Sequence, residues 1–116
     1  KEGQYDAAIS WYLPVVSGSA RPPVLRIAAL QNLGLAYAKK EDWANAVASL
    51  DRAILDRENA VADYSRFLLA KIFEMKGEKA KAEEIYKSLS EGTEVPGLQE
   101  EAKEKLSSWT KEQDKK

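Results

Sequence analysis

Adjacent carboxylates are the first residues in this chain whose chemistry needs to be considered. Glu83 and Glu84 form one pair, and Glu100 and Glu101 form another. Paired carboxylates can act as a general acid and base or can hold a divalent cation. Both pairs lie on strongly charged segments, without the apolar surroundings that shift a carboxyl pKa. We therefore interpret them as solvated helix surface, and we predict no catalytic residues and no metal site.

The chain lacks two residue types on which much of catalysis depends. It contains no cysteine and no histidine, which excludes disulfides, thiol nucleophiles, zinc sites of the Cys/His kind and imidazole bases. Gly34 and Gly77 do not have the Walker-type spacing of a phosphate-binding loop. We expect no enzyme activity and no cofactor.

Three tryptophans, Trp11, Trp43 and Trp109, could act as hot spots for binding a partner. They fall on helical stripes, however, where aromatic residues more often pack against neighbouring elements. Packing is therefore the preferred interpretation, and Trp43 is interpreted as a core residue.

Composition limits both the size of the domain and the class of partner. A chain of 116 residues forms one domain, and 44% apolar with 32% charged residues suits a helix-rich protein. With 18 basic and 19 acidic residues, the net charge of -1 gives no field that favours nucleic acid or an acidic membrane. Apolar runs such as residues 67–70 are far shorter than the ~20 residues that span a bilayer. We predict neither nucleic-acid binding nor membrane insertion.

The first residue is Lys1 rather than Met. We therefore expect a processed or excised fragment, and this expectation leaves an upstream signal or anchor and the cellular compartment open.

Apolar spacing predicts a series of amphipathic helices. The first helix has a stripe at helical spacing, which consists of Tyr5, Ala8, Ile9, Tyr12 and Leu13. Pro14 is expected to end this helix early or kink it. Residues 17–23 contain turn formers and two prolines and are predicted to be a connection. Helices then follow over about residues 22–39 and 43–57.

Two residues predict where the middle helices begin and end. Asp42 can cap the helix that follows it, and Gly77 suits the position after a helix, where a positive φ is needed. A further helix follows Gly77. After a turn-rich break, the last helix has one narrow apolar stripe, which consists of Leu98, Ala102, Leu106 and Trp109.

An internal repeat is the strongest signal in the sequence. Tyr37 and Ala46 are nine residues apart, as are Phe73 and Ala82, and each residue of the first pair lies 36 positions before its counterpart. Two helical hairpins therefore share one spacing. The small residues Gly34 and Ala46 are predicted to lie where the two helices of the first hairpin touch.

This pattern resembles the tetratricopeptide repeat (TPR), in which a W-x₂-L-G-x₂-Y and A-x₃-F pattern recurs every ~34 residues. The first full repeat matches at Leu30, Leu33, Gly34, Tyr37, Ala46, Leu50 and Ala53, with Leu30 in place of Trp. The second matches at Leu69, Ala70, Phe73, Gly77, Ala82 and Tyr86. Gly3, Ala8 and Tyr12 repeat the spacing of the second helix, so the chain opens with half a repeat.

The resemblance implies an all-α fold: a right-handed stack of antiparallel helical hairpins closed by a capping helix. Residues 1–116 would form a single TPR-like domain. Within it, residues 3–16 form the second helix of a truncated repeat, 24–58 and 60–91 form full repeats, and 97–112 form the capping helix.

The resemblance also implies a non-catalytic scaffold that binds a protein or peptide partner. In TPR proteins the first helices of the repeats line a concave groove. The corresponding residues of this chain are Gln31, Asn32, Leu35, Tyr64, Phe67, Lys71, Glu74 and Met75. Tyr64 and Phe67 are the predicted anchors, and the competing interpretation is that Phe67 packs against the neighbouring repeat.

The alternative function is a structural or self-assembly module. The apolar stripe of the N-terminal half-repeat could pair with another copy, which would give a homo-oligomer, or with upstream chain. The layout is also similar to that of bacterial TPR domains carried behind an N-terminal membrane anchor, which implies a periplasmic location. The sequence leaves the location undetermined and does not exclude the cytoplasm.

Overall fold

The computed structural model describes residues 2–17 and 22–114, and these residues form six α-helices. In chain order the helices are α1 (Glu2–Ser17), α2 (Pro23–Lys39), α3 (Trp43–Leu55), α4 (Ala62–Lys76), α5 (Lys79–Glu91) and α6 (Leu98–Asp114). The described residues contain no strand. Most of the connection predicted over residues 17–23 lies outside them.

The helices stack one after another along a single direction. Each helix packs against the next, and α2 also contacts α4. The stack measures 48 × 33 × 18 Å, with a radius of gyration of 15.0 Å, where a compact chain of this length has about 13 Å. Three apolar clusters follow one another along the stack. This arrangement is typical of a repeat protein, in which each unit packs against its neighbours.

The contact between α2 and α3 depends on Gly34. A Cβ atom at this position would lie 2.9 Å from Leu50 Cγ and 3.2 Å from the Ala46 carbonyl oxygen. Gly34 is buried, and Ala46 and Leu50 are both fully buried. The predicted contact between Gly34 and Ala46 is confirmed, and it brings the two backbones close together.

Both helix ends predicted from single residues are confirmed. Asp42 precedes α3, and its carboxylate accepts a hydrogen bond from the Asn45 backbone N–H at 3.4 Å. Gly77 follows α4 with φ of 94°, in the left-handed region where a side chain would be strained. These two ends fix where the second helix of each hairpin begins.

The predicted early end of α1 at Pro14 is wrong, because the helix continues to Ser17. Val16 lies beyond the proline and is buried in the same apolar cluster as Ile9 of α1 and Leu33 of α2. We attribute the continuation to this packing, which offsets the backbone hydrogen bond that proline removes.

The tryptophans have different surroundings. Trp43 packs partly buried against an apolar cluster, as predicted, and Trp109 is 9% exposed within another. Trp11 is 76% exposed, so the packing interpretation is wrong for this residue. Among the described residues, no helix has the length and apolar character needed to cross a bilayer.

Candidate partner-binding face

Helices α2, α4 and α6 lie side by side and form one face of the stack. The Gln31 side-chain amide on α2 donates a 2.8 Å hydrogen bond to Ser65 Oγ on α4. Lys105 Nζ on α6 lies 3.3 Å from Glu74 Oε1 on α4. We call this surface the α2–α4–α6 face, and it is the counterpart of the groove predicted from the sequence.

A cleft of about 430 Å³ separates α4 from α6 on this face. We call it the α4–α6 cleft. Its lining combines one aromatic ring with charged and polar groups from both helices, and it consists of Phe67, Lys71, Glu101, Glu104, Lys105 and Ser108. Both charge signs are present, so the cleft has no strong preference for a highly charged ligand of either sign.

The floor of the cleft is an aromatic cluster fixed by the core. Phe67 is 4% exposed and meets the buried Tyr86 ring edge-on, with centroids 5.5 Å apart. Tyr64 stacks on Phe67 at 6.4 Å, and Lys71 Nζ lies 5.0 Å from the Phe67 centroid. Tyr64 is 40% exposed. Tyr64 and Lys71 are thus exposed residues that lie next to the buried Phe67 ring.

Glu74 links three helices at the edge of the cleft. Its carboxylate accepts a 2.5 Å hydrogen bond from the Tyr86 hydroxyl on α5 and pairs with Lys105 on α6. Burial raises the pKa of Tyr86, and its hydrogen bond to the Glu74 carboxylate raises it further. Glu74 is therefore engaged between helices, although the sequence pattern placed it among the ligand-contacting residues.

Two other predicted residues also contact neighbouring helices. The Gln31 amide bonds to Ser65, which is fully buried between α2 and α4. Leu35 packs against a cluster that includes Leu50 and Leu68. These residues hold the face together, and their remaining exposed surface is limited.

The other predicted residues are spread along the face. Tyr64 and Lys71 adjoin the α4–α6 cleft, and Met75 is 43% exposed on the last turn of α4. Asn32 is exposed beside α1 instead. The structure thus brings Tyr64, Phe67 and Lys71 together and separates them from Asn32.

Sequence reasoning missed the wall that α6 contributes. Its polar residues were assigned to a capping helix, although Glu101, Glu104, Lys105 and Ser108 line the cleft. One signal could have identified them: α4 begins at 62 and α6 begins at 98, and this separation of 36 residues is the internal repeat length. The described residues contain no group of three or more acidic side chains that could hold a metal ion.

Comparison with known families identifies the central hairpin. Residues 29–61, which run from within α2 through α3, match the family model of the tetratricopeptide repeat. The hairpin formed by α2 and α3 is therefore similar to a tetratricopeptide repeat. The chain's six helices have the all-α, TPR-like repeat arrangement expected from the sequence. TPR repeats generally mediate protein–protein interactions and are typically non-catalytic scaffolds. No curated protein and no solved structure matches the chain.

Proposed function

We propose that this protein binds an extended or helical segment of a partner protein along the α2–α4–α6 face, with the α4–α6 cleft as its centre. The observation that carries this proposal is the exposed edge of Tyr64 above the buried Phe67 ring. An aromatic side chain that the core already holds in position loses little conformational freedom on binding, and such residues dominate many interfaces.

The charges around the cleft indicate the kind of segment that fits. Lys71 and Lys105 can bind carboxylates or carbonyl groups, whereas Glu101 and Glu104 can accept hydrogen bonds from amides or basic side chains. This mixture favours an amphipathic segment with few charges. Two full repeats make a short surface, and ordering a peptide offsets part of the contact energy. We therefore expect affinity of about micromolar strength with weak salt dependence.

A probe peptide is selected from a random displayed library for binding to this protein. It is then synthesised, and its affinity is measured by calorimetry. We expect Tyr64→Ala to weaken the selected peptide by ~30-fold, equivalent to about 2 kcal/mol. Lys71→Glu is expected to weaken it as well. Lys87→Glu makes the same charge change at an exposed position on α5 and serves as the matched control.

Circular dichroism of each variant checks that helicity and thermal unfolding are unchanged. Binding that survives both changes at α4 would contradict the proposal. So would a peptide footprint, mapped by amide chemical shifts, that falls on α3 and α5. Self-assembly through α1 stays the alternative prediction, and sedimentation of the chain over a range of concentrations tests it.

A further inference from the structure

The two helices that form the α4–α6 cleft run in the same direction, and two contacts show how they are aligned. Near the start of α4, Asp63 accepts a 2.7 Å hydrogen bond from the Thr93 hydroxyl, which lies shortly before α6. Near the end of α4, Glu74 pairs with Lys105 in the middle of α6. Positions along the two helices can therefore be compared by the rise of about 1.5 Å per residue.

The two lysines of the cleft already have contacts within the protein. Lys105 Nζ lies 3.3 Å and 3.4 Å from the two carboxylate oxygens of Glu74, so these opposite charges compensate each other. Lys71 Nζ lies over the Phe67 ring, 5.0 Å from its centroid, where it is attracted by the electron-rich face of the ring. An acidic side chain of a ligand would have to compete with these contacts.

The other charged residues of the cleft are Glu101 and Glu104. Both are exposed, and their spacing of three residues places them on the same face of α6. Among the side chains that the structure describes, neither carboxylate has an ion-pair partner. Together with Glu74 they make three carboxylates against two lysines, so the cleft has one negative charge in excess.

We propose that the partner segment bound in the α4–α6 cleft has a basic residue that pairs with Glu101 and Glu104, and an apolar residue that packs on Tyr64. This rests on the proposed function, because it assigns a chemistry to the segment that the same cleft binds. A basic residue compensates the excess negative charge, and charge complementarity of this kind selects between partners. An arginine can donate to both carboxylates at once, whereas a lysine donates as a single point charge.

The alignment of α4 and α6 predicts the spacing between these two residues of the segment. Glu101 lies four residues before Lys105, so it is level with a point four residues before Glu74. That point is about 9 Å beyond Tyr64 along the axis of α4, and the level of Glu104 is about 13 Å beyond it. An extended segment covers these distances in about three or four residues, and a helical segment covers them in about six to nine.

Lys71 contacts a different part of the segment in this arrangement. Its ammonium group lies over Phe67, between the level of Tyr64 and that of the two carboxylates. There it can donate a hydrogen bond to a backbone carbonyl of the segment. Lys71→Glu puts a carboxylate against that carbonyl oxygen, so it weakens binding whether or not the segment has a basic residue. Lys71→Glu therefore tests the proposed function, and changes at Glu101 and Glu104 test the basic residue.

The first experiment selects peptides twice from one random displayed library. One selection uses the wild-type chain, and the other uses the Glu101→Lys, Glu104→Lys double variant, whose helicity is checked by circular dichroism. We expect the wild-type chain to select arginine or lysine about three or four residues from an aromatic or large aliphatic residue in extended peptides. The double variant is expected to lose the preference for the basic residue and to keep the preference for the apolar one.

The second experiment needs no charge reversal and measures affinity by calorimetry. The probes are one synthetic peptide from the wild-type selection and the same peptide with norleucine in place of its basic residue. We expect Glu101→Gln to weaken the basic peptide by about threefold and to change the affinity of the norleucine peptide by less than about 1.5-fold. Glu104→Gln repeats the comparison at the second carboxylate.

Glu100→Gln is the matched control for the loss of charge. Glu100 is exposed in the first turn of α6, like Glu101, but it is not part of the cleft lining. The two changes remove the same net charge and the same favourable interaction with the helix N-terminus. Glu100→Gln is expected to leave the affinity of both peptides unchanged.

The outcomes separate this inference from the proposed function. Selected peptides that Tyr64→Ala weakens, but that lack a basic residue or prefer an acidic one, overturn the inference alone. The same conclusion follows if neither Glu101→Gln nor Glu104→Gln distinguishes the basic peptide from the norleucine peptide. A selection that yields no peptide, or only peptides that bind equally well to Tyr64→Ala and Lys71→Glu, overturns both.

Discussion

Replacing Gly34 with alanine tests the closest backbone contact in the stack. The added Cβ would lie 2.9 Å from Leu50 Cγ and 3.2 Å from the Ala46 carbonyl oxygen. Leu50 is 0% exposed, so it cannot rotate into solvent to make room. Overpacking of this kind costs roughly 1–3 kcal/mol, whereas alanine gains about 1 kcal/mol over glycine in helix propensity. We expect a net loss of about 1 kcal/mol, or a melting temperature lower by about 4 °C. Leucine at the same position is expected to cost more.

Chemical denaturation followed by circular dichroism measures this loss. Gly3→Ala is the matched control, because it makes the same change in α1 where a Cβ meets nothing within 4 Å. It is expected to leave the free energy of unfolding unchanged or to raise it. In a Leu50→Ala background the clash with Cγ is absent, so Gly34→Ala is expected to cost less there. Full additivity of the two changes, or a Gly34→Ala variant as stable as the wild type, would refute the close contact.

Two further predictions concern pH. The Arg26 guanidinium donates to Asp56 at 2.9 Å and 3.2 Å and holds the pKa of that carboxyl below its usual range. The stability that this pair contributes is present above the carboxyl's unfolded pKa of about 3.9 and is lost as pH falls through its folded pKa. Asp56→Asn is therefore expected to flatten the acid side of a plot of unfolding free energy against pH. An unchanged acid side would contradict this. At the alkaline end, burial and the Glu74 carboxylate raise the pKa of Tyr86, so the folded state keeps a proton that the unfolded chain loses above about pH 10. Stability is expected to fall there, and by less in Tyr86→Phe; an equal fall in both proteins would count against this role of the hydroxyl.

The contacts inside each hairpin could be predicted because they depend on residue types at fixed spacing. Gly34 and Ala46 have side chains small enough for close helix contact, and Gly77 tolerates a positive φ that other residues avoid. Asp42 likewise carries the acceptor that a helix N-terminus needs. Each of these effects acts over a few residues of sequence or between two helices of known spacing.

The candidate sites could be predicted only in part, because periodicity identifies the apolar side of a helix but not what covers it. Phe67 satisfies both the groove pattern and the core pattern, and it forms the buried floor of the cleft. The apolar stripe of α1 predicted packing, yet Trp11 lies at its exposed edge. The Glu100 and Glu101 pair of α6 was interpreted as solvated helix surface, although Glu101 lines the α4–α6 cleft.

The two ends of the described stack differ in the side chains that they expose. At the α6 end of the described stack, charged residues such as Lys103 and Glu104 are exposed. At the other end Trp11 and Leu25 are exposed together beside α2. Trp11 has the place of Ser49 in the next repeat, so one repeat position holds a large exposed ring in α1 and a small buried side chain in α3. Repeat spacing therefore predicts the position of a side chain but not whether another element covers it.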